Sequence, residues 1–395
     1  MANNFEFYAP TKVIFGKGAE NETGKQIRAF GATCVLIVYG GGSVKRLGVL
    51  EKVENALTDA QITFCELGGV VPNPHLDKVY EGIRIGKSKN VDFLLAVGGG
   101  SVIDTAKAIA YGLAEPEKDV WELFDHTRMA RKCIPVASVL SIAAAGSETS
   151  KGCVITNEKT GEKRAYDDNL ARPKFAIMNP EYTKSLPDYQ TESGCTDIMM
   201  HTMERYFTNG GNMEITDAIA EGLLRTVMKN AVILHQNPGD YDARAEIMWA
   251  GSIAHNDLTG CGNDGGDFMT HKLEHELGGM FDVTHGAGLA AVWSSWARYV
   301  CGECLHRFVR YARNVMGVTL DGTDEEVAEA GICAMEDFYR SIGMPTNLNE
   351  LGIHPTDAQI EDMAKRCMIA SGTRTGSAKK LNREDAIRIY QNARG

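Results

Sequence analysis

Asp197 and His201 stand four residues apart in the stretch ESGCTDIMMHTMERYF, so on a helix both side chains project from one face, about 5–6 Å apart at Cβ. His271 and His275 repeat that spacing in DFMTHKLEHELGGMF, and His285 follows after a short loop. One carboxylate and three imidazoles, Asp197 with His201, His271 and His285, form a mixed oxygen and nitrogen donor set that suits a single zinc or ferrous ion. A lone i, i+4 pair on a helix is more often a solvated surface pair. Three of the chain's ten histidines, however, fall within the fifteen positions 271 to 285, and that concentration favours a metal site.

These residues need elements to hold them, and the chain changes character on the way to them. The first half alternates strand-like and helix-like segments, as parallel α/β folds do. CVLIVY (residues 34–39) leads into GGGS and the helical pattern KRLGVLEKVENAL; FLLAV (93–97) leads into a second GGGS and VIDTAKAIAYGLA. The two junctions, VYGGGSV and AVGGGSV, read as two βα turns of one sheet. From about Leu186 the strand signals stop and helical patterns take over, with Ser193 a plausible N-cap for the metal-bearing helix. The expected division is an α/β domain over residues 1–187 and an all-helical domain over 188–395.

A glycine-rich turn between a buried strand and a helix suits phosphate, because the backbone can approach closely and the helix N-terminus presents free N–H groups. Gly98, Gly99, Gly100 and Ser101 meet that description, with Asp104 in the first turn of the following helix. Ile103 stands where the third glycine of G-x-G-x-x-G would be, and such turns often need glycine for the backbone alone. The first turn offers Gly40, Gly41, Gly42, Ser43, Lys45 and Arg46 and no acid to bond a ribose 2′-hydroxyl. If an adenosine ribose lies there, NADP is favoured over NAD.

At 395 residues and 44% hydrophobic, the chain is long enough for two domains with substantial cores. A net charge of −11 argues against nucleic acid or an anionic membrane as the main partner. No basic segment followed by an apolar core opens the chain and no apolar run approaches a membrane span, so it reads as cytoplasmic. Ten scattered cysteines fit reduced thiols better than a disulfide framework, and the single CxxC, Cys301 with Cys304, reads as ordinary packing.

Taken in order, FYAPTKVIFGKG, VYGGGSVK, VPNP, AVGGGSVID, AAGSE, GEK, DIMMH and HKLEHELGGMFDVTHG resemble the iron-containing (group III) alcohol dehydrogenase family, in its NADPH-dependent butanol dehydrogenase and aldehyde reductase branch. The resemblance implies the dehydroquinate synthase-like fold, a dinucleotide-binding α/β domain with a parallel sheet plus a helical domain, with metal and nicotinamide meeting in the cleft. It assigns the metal, iron or zinc, to Asp197, His201, His271 and His285, the pyrophosphate to the turn from Gly98 to Ser101, and the 2′-phosphate of NADP(H) to Gly41, Gly42 and Ser43. It adds Asn73, Ser141, Ser150, Gly152, Lys163 and Tyr182 to the cofactor groove; residue chemistry alone would not have chosen Asn73, Ser141 or Tyr182. The chain departs from the family where SIAAAGSE replaces a threonine- and glycine-rich segment, and where Thr284 replaces the proline before the last metal histidine.

The implied reaction is reversible hydride transfer between NADP(H) and a primary alcohol or aldehyde such as butanol or butyraldehyde, in a homodimer. His275, one turn after His271, is the candidate proton relay or support for the metal ligands. Substrate-pocket residues are expected near Asn256, Phe268 and Trp293. Three alternatives stay open: a glycerol dehydrogenase-like enzyme, a dehydroquinate synthase-like enzyme, and a zinc metallopeptidase reading of HKLEH as H-x-x-E-H, with His271 and His275 as ligands and Glu274 as base.

Overall fold

The computed structural model describes residues 2–371 and 374–395. Eight strands are present among them: β1 (Lys12–Phe15), β2 (Cys34–Tyr39), β3 (Thr63–Leu67), β4 (Phe93–Gly98), β5 (Val136–Leu140), β6 (Gly152–Asn157), β7 (Glu162–Asp167) and β8 (Phe175–Met178). Six of them form one sheet in the order β1-β8-β5-β4-β2-β3, every neighbouring pair parallel. Their apolar runs follow from that layout, since a parallel strand covered by helices on both faces has no polar side to alternate with. Val35, Ile37, Leu95, Val97, Val139 and Ile177 are wholly buried and meet Val49, Val53 and Leu57 of the helix Val49–Asp59 in one core.

The two glycine turns follow β2 and β4, which pair side by side with Tyr39 opposite Val97, so both turns lie on the carboxyl edge of one sheet, as expected. The chain goes to one side of β2 to make β3 and returns to its other side to make β4. This reversal of direction is where open α/β sheets bind their ligands. The sequence pattern did not mark β6 and β7, an antiparallel hairpin whose residues are only intermittently buried.

By compactness, one unit runs from Ala9 to Leu186, and the other joins Pro187–Gly395 to the N-terminal segment as far as Tyr8. The expected division at 187/188 thus differs at two points, because residues up to Tyr8 and Pro187 go with the helical unit. At its centre is the helix Asp188–Tyr206, whose residues from Thr191 to Tyr206 are all buried. It packs against helices Glu214–Gln236, Tyr241–His255 and His285–Val300. Ser193 does not cap it: the helix starts after Pro187, and Ser193 lies inside it with its Oγ 3.7 Å from Met344 Sδ. No helix among the described residues is long and apolar enough to cross a membrane.

Candidate metal centre and glycine turns

A helix buried along most of its length must satisfy every polar side chain it carries, and Asp188–Tyr206 carries Asp197, His201, Glu204 and Arg205. Asp197 Oδ1 is the focus. His201 Nε2 lies 3.4 Å from it, His271 Nε2 3.5 Å and His285 Nε2 3.7 Å. Ligand atoms at about 2.0–2.1 Å from a tetrahedral zinc would stand roughly 3.3–3.4 Å from one another. Each of the three imidazoles chosen from spacing therefore approaches the Asp197 carboxylate at close to the edge length of a coordination tetrahedron, and Asp197, His201 and His271 form the tightest group.

Two further carboxylates hold the imidazoles from behind. His271 Nδ1 bonds Glu204 Oε2 and His285 Nδ1 bonds Glu274 Oε2. Both glutamates are completely buried. Glu204 Oε1 also accepts from the backbone N–H groups of Thr270 and His271, at 2.7 and 3.2 Å, so it fixes the first turn of the helix Met269–Phe281 as well as the ring. Binding Nδ1 leaves Nε2 to face the focus, the arrangement that orients metal-ligating histidines. His271 Nε2 is buried and has no hydrogen-bond partner, as expected of a lone pair reserved for a cation.

The electrostatics fit the same group. Burial lowers the basicity of His271, but the carboxylates of Glu204 and Asp197 outweigh it and push the imidazole up to about 10. Burial, aided by His255, His271 and Arg205, holds His201 well below its ordinary value. The carboxylates that raise His271 would equally favour a divalent ion at the focus, which would neutralise them. The donor set, the reserved lone pair and the carboxylate supports suit zinc or ferrous iron.

His285 reaches this point because Gly286 lets two helices touch backbone to backbone. A Cβ at Gly286 would stand 2.0 Å from the carbonyl oxygen of Ser193, one turn before Asp197. His275 comes to the rim: its ring centroid is 5.8 Å from that of His285 and 6.4 Å from that of His271, and it groups with Glu274 and His285. Phe268 lies beside the cluster, 5.8 Å from His271 between ring centroids. Asn256 Oδ1 is turned to the N–H of Leu258. Trp293 is itself wholly buried among Phe207, Tyr311 and Tyr339.

In the α/β unit the second turn is shaped by exclusion. A Cβ at Gly98 would lie 2.6 Å from Val102 Cγ2 and one at Gly99 3.0 Å from Ile142 Cβ, whereas one at Gly100 would meet only Ala145 at 3.5 Å. Gly99 precedes the helix Gly100–Ala114, which begins with Gly100 and Ser101 and has no side-chain cap, so its N-terminus is suited to an anion. Asp104, in the first turns of this helix, is held by the protein itself. Its carboxylate accepts from Ser147 Oγ at 2.6 Å and from the N–H of Val154 at 2.9 Å, bracing the helix against β6.

The remaining groove residues divide. Lys163 on β7 donates to Asn73 Oδ1 at 3.0 Å, so these two meet, and Asn73 has the left-handed φ of 52°. Ser141 is buried and its N–H bonds the carbonyl of Gly98, tying it to the glycine turn. The carbonyls of Ser150 and Gly152 instead receive the buried Lys107 ammonium at 3.1 and 2.7 Å. Tyr182 packs in the core under Lys52 and Glu20, a structural setting that the expected groove role did not foresee. At the first turn Gly41 has open space around it, Ser43 opens the short helix Ser43–Arg46, and the Arg46 guanidinium folds to 2.8 Å from where a Cβ of Gly42 would stand. Glu66, at the far end of β3 from the glycine turn in sequence, joins this corner by accepting from Tyr39 at 2.8 Å.

Comparison with known proteins agrees with the geometry. Residues 10–180 match the family described as iron-containing alcohol dehydrogenase, and residues 191–394 match the C-terminal domain of the Fe-containing alcohol dehydrogenase family. The chain is 40% identical over 389 residues to NADH-dependent butanol dehydrogenase A of Clostridium acetobutylicum, covering 98% of this chain and 99% of the relative. It is 36% identical to the NADPH-dependent aldehyde reductase YqhD of Escherichia coli, covering 99% of this chain and all of that one. The crystal structure of NADH-dependent butanol dehydrogenase A from Thermotoga maritima superposes with a TM-score of 0.96 at 38% identity, over 100% of this chain and 99% of that one.

Proposed function

Because the chain belongs to the iron-containing alcohol dehydrogenase family and is an alcohol/aldehyde oxidoreductase with a metal and a nicotinamide cofactor, we propose that it interconverts a primary alcohol and its aldehyde, such as butanol and butyraldehyde, with NADP(H) and one divalent ion held by Asp197, His201, His271 and His285. The observation that carries this reading is the convergence of three imidazole Nε2 atoms within 3.7 Å of one carboxylate oxygen. When bound, the metal supplies Lewis-acid polarisation of the substrate oxygen and the nicotinamide supplies or accepts the hydride. The chain's own residues supply position and charge. Glu204 and Glu274 keep the Nε2 lone pairs of His271 and His285 turned inward. His275 at the rim of the cluster exchanges the proton with solvent.

NADP(H) is supported by the first glycine turn, where Ser43, Lys45 and Arg46 offer hydroxyl and cations to a 2′-phosphate. NADH is the second reading, favoured by Glu66 beside Tyr39 and by relatives that carry NADH in their names. The metallopeptidase alternative is overturned, because Glu274 is wholly buried and supports His285 in place of facing a substrate water. We place the enzyme in the cytoplasm, in keeping with ten free cysteines. The CxxC thiols are free as well, and burial pushes Cys301 up to about 11 and Cys304 up to about 12. We also read the protein as a homodimer, on the exposure of Phe5, Phe7 and Tyr8 in a segment without secondary structure; sedimentation as a monomer would contradict this.

The test follows NADPH and NADH absorbance with butyraldehyde before chelation, after it, and after re-addition of iron or zinc. Activity that prefers NADPH and returns only with metal is the expected result. A preference for NADH moves the cofactor to the second reading, and activity untouched by exhaustive chelation contradicts the metal assignment.

A further inference from the structure

Two of the three imidazoles at the focus have a carboxylate behind them, and the third does not. His201 Nδ1 is buried and has no hydrogen-bond partner, so no acceptor fixes the rotation of its ring. Its two faces are covered instead. The His271 ring lies on one side, with centroids 4.4 Å apart and planes 15° from parallel. His255, the last residue of the helix Tyr241–His255, stacks on His201 with centroids 3.9 Å apart and planes 26° from parallel. That separation is shorter than the roughly 4.5–7 Å usual for aromatic pairs.

His255 is itself held by Arg205, one turn beyond His201 on the same helix. Arg205 Nη1 donates to the carbonyls of His201 and Ala254, at 2.8 and 3.1 Å, and its Nη2 lies 3.2 Å from His255 Nδ1. A guanidinium only donates, so His255 Nδ1 accepts and the ring proton is on Nε2. The guanidinium also lies over the Phe268 ring, 4.9 Å from its centroid, and 3.7 Å from Asp257. One buried cation thus joins the backbone of His201 to the ring that covers it.

We propose that His255 is a positioning residue of the metal centre, which holds His201 by ring stacking where Glu204 and Glu274 hold the other two imidazoles by hydrogen bonds. The proposal rests on the assignment of Asp197, His201, His271 and His285 as ligands. It sets the role of His255 apart from that of a ligand or a proton carrier, since a flat ring without nitrogen does the same work.

The test loads the full-length protein with cobalt(II) and measures affinity by competition with a chromophoric chelator and site geometry by the visible ligand-field bands. Wild type is compared with His255→Ala, His255→Phe and Asp197→Ala, with circular dichroism to check folding. We expect His255→Ala to bind about tenfold more weakly or worse, in the range seen for lost support of metal ligands, with altered bands. His255→Phe keeps most of the affinity and the wild-type bands. Wild-type affinity and bands in His255→Ala overturn the proposal, and so does a His255→Phe variant as impaired as His255→Ala. Asp197→Ala loses the ion whichever way His255 behaves; if it retained cobalt, the ligand assignment would fall and this proposal with it.

Discussion

The metal cluster and the glycine turn are built by opposite means. Around Asp197 the chain buries five acid and imidazole side chains, Asp197, His201, Glu204, His271 and Glu274, and aims their atoms inward. After β4 it removes side chains, so that Gly98 and Gly99 fit against Val102 and Ile142 and a bare helix N-terminus remains. The first region works through the atoms that are present and the second through those that are absent. Substitutions should therefore fail differently: in the cluster by deleting a donor while the fold survives, in the turn by adding bulk that the fold must accommodate.

The largest effect is expected at the focus. Asp197→Ala or His271→Ala should abolish stoichiometric metal binding, read by elemental analysis, and lower kcat by more than the roughly 100-fold that marks the upper end for supporting residues. Full metal content in either variant breaks the cluster half of the comparison. His275→Ala should keep its metal and lose about 100-fold in kcat, the low end for general acid–base groups; an unchanged kcat removes His275 from the chemistry. Glu204→Gln is expected to weaken metal affinity by about 10- to 100-fold, with unfolding shifted far less than binding. Wild-type affinity would show that His271 needs no carboxylate behind it.

The turn gives the smaller effects, and two neighbouring glycines separate its two properties. Gly98→Ala drives a methyl to 2.6 Å from Val102, and overpacking of that kind costs about 1–3 kcal/mol, readable as a lowered denaturant midpoint. Gly100→Ala has room at 3.5 Å from Ala145 and should leave stability nearly unchanged while raising the KM for the nicotinamide cofactor. Equal stability losses at both positions would mean that the turn is shaped by packing alone.

The same contrast explains what could be read from the sequence. Asp197, His201, His271 and His285 were legible because helical spacing and donor type coincide in few other ways. Glu204 and Glu274 were not, although each stands three residues after a ligand histidine, in HTME and HKLE. Each glutamate serves a histidine of another segment, Glu204 for His271 and Glu274 for His285, and such pairing is set by packing beyond the reach of local periodicity. Gly286 escaped notice for the same reason, since the carbonyl it accommodates belongs to Ser193, far away in sequence. The strands β2 and β4 were plain because both faces are buried. The bracing role of Asp104 was not legible, because its partners Ser147 and Val154 lie some forty to fifty residues on.

One carboxylate and three imidazoles would hold one ion. X-ray absorption at the metal edge of the zinc-loaded protein tests this ligand set most directly. Three imidazole ligands should give strong multiple scattering, with a first shell of nitrogen and oxygen at about 2.0–2.2 Å. A shell with sulfur, or with only one or two imidazoles, would contradict it.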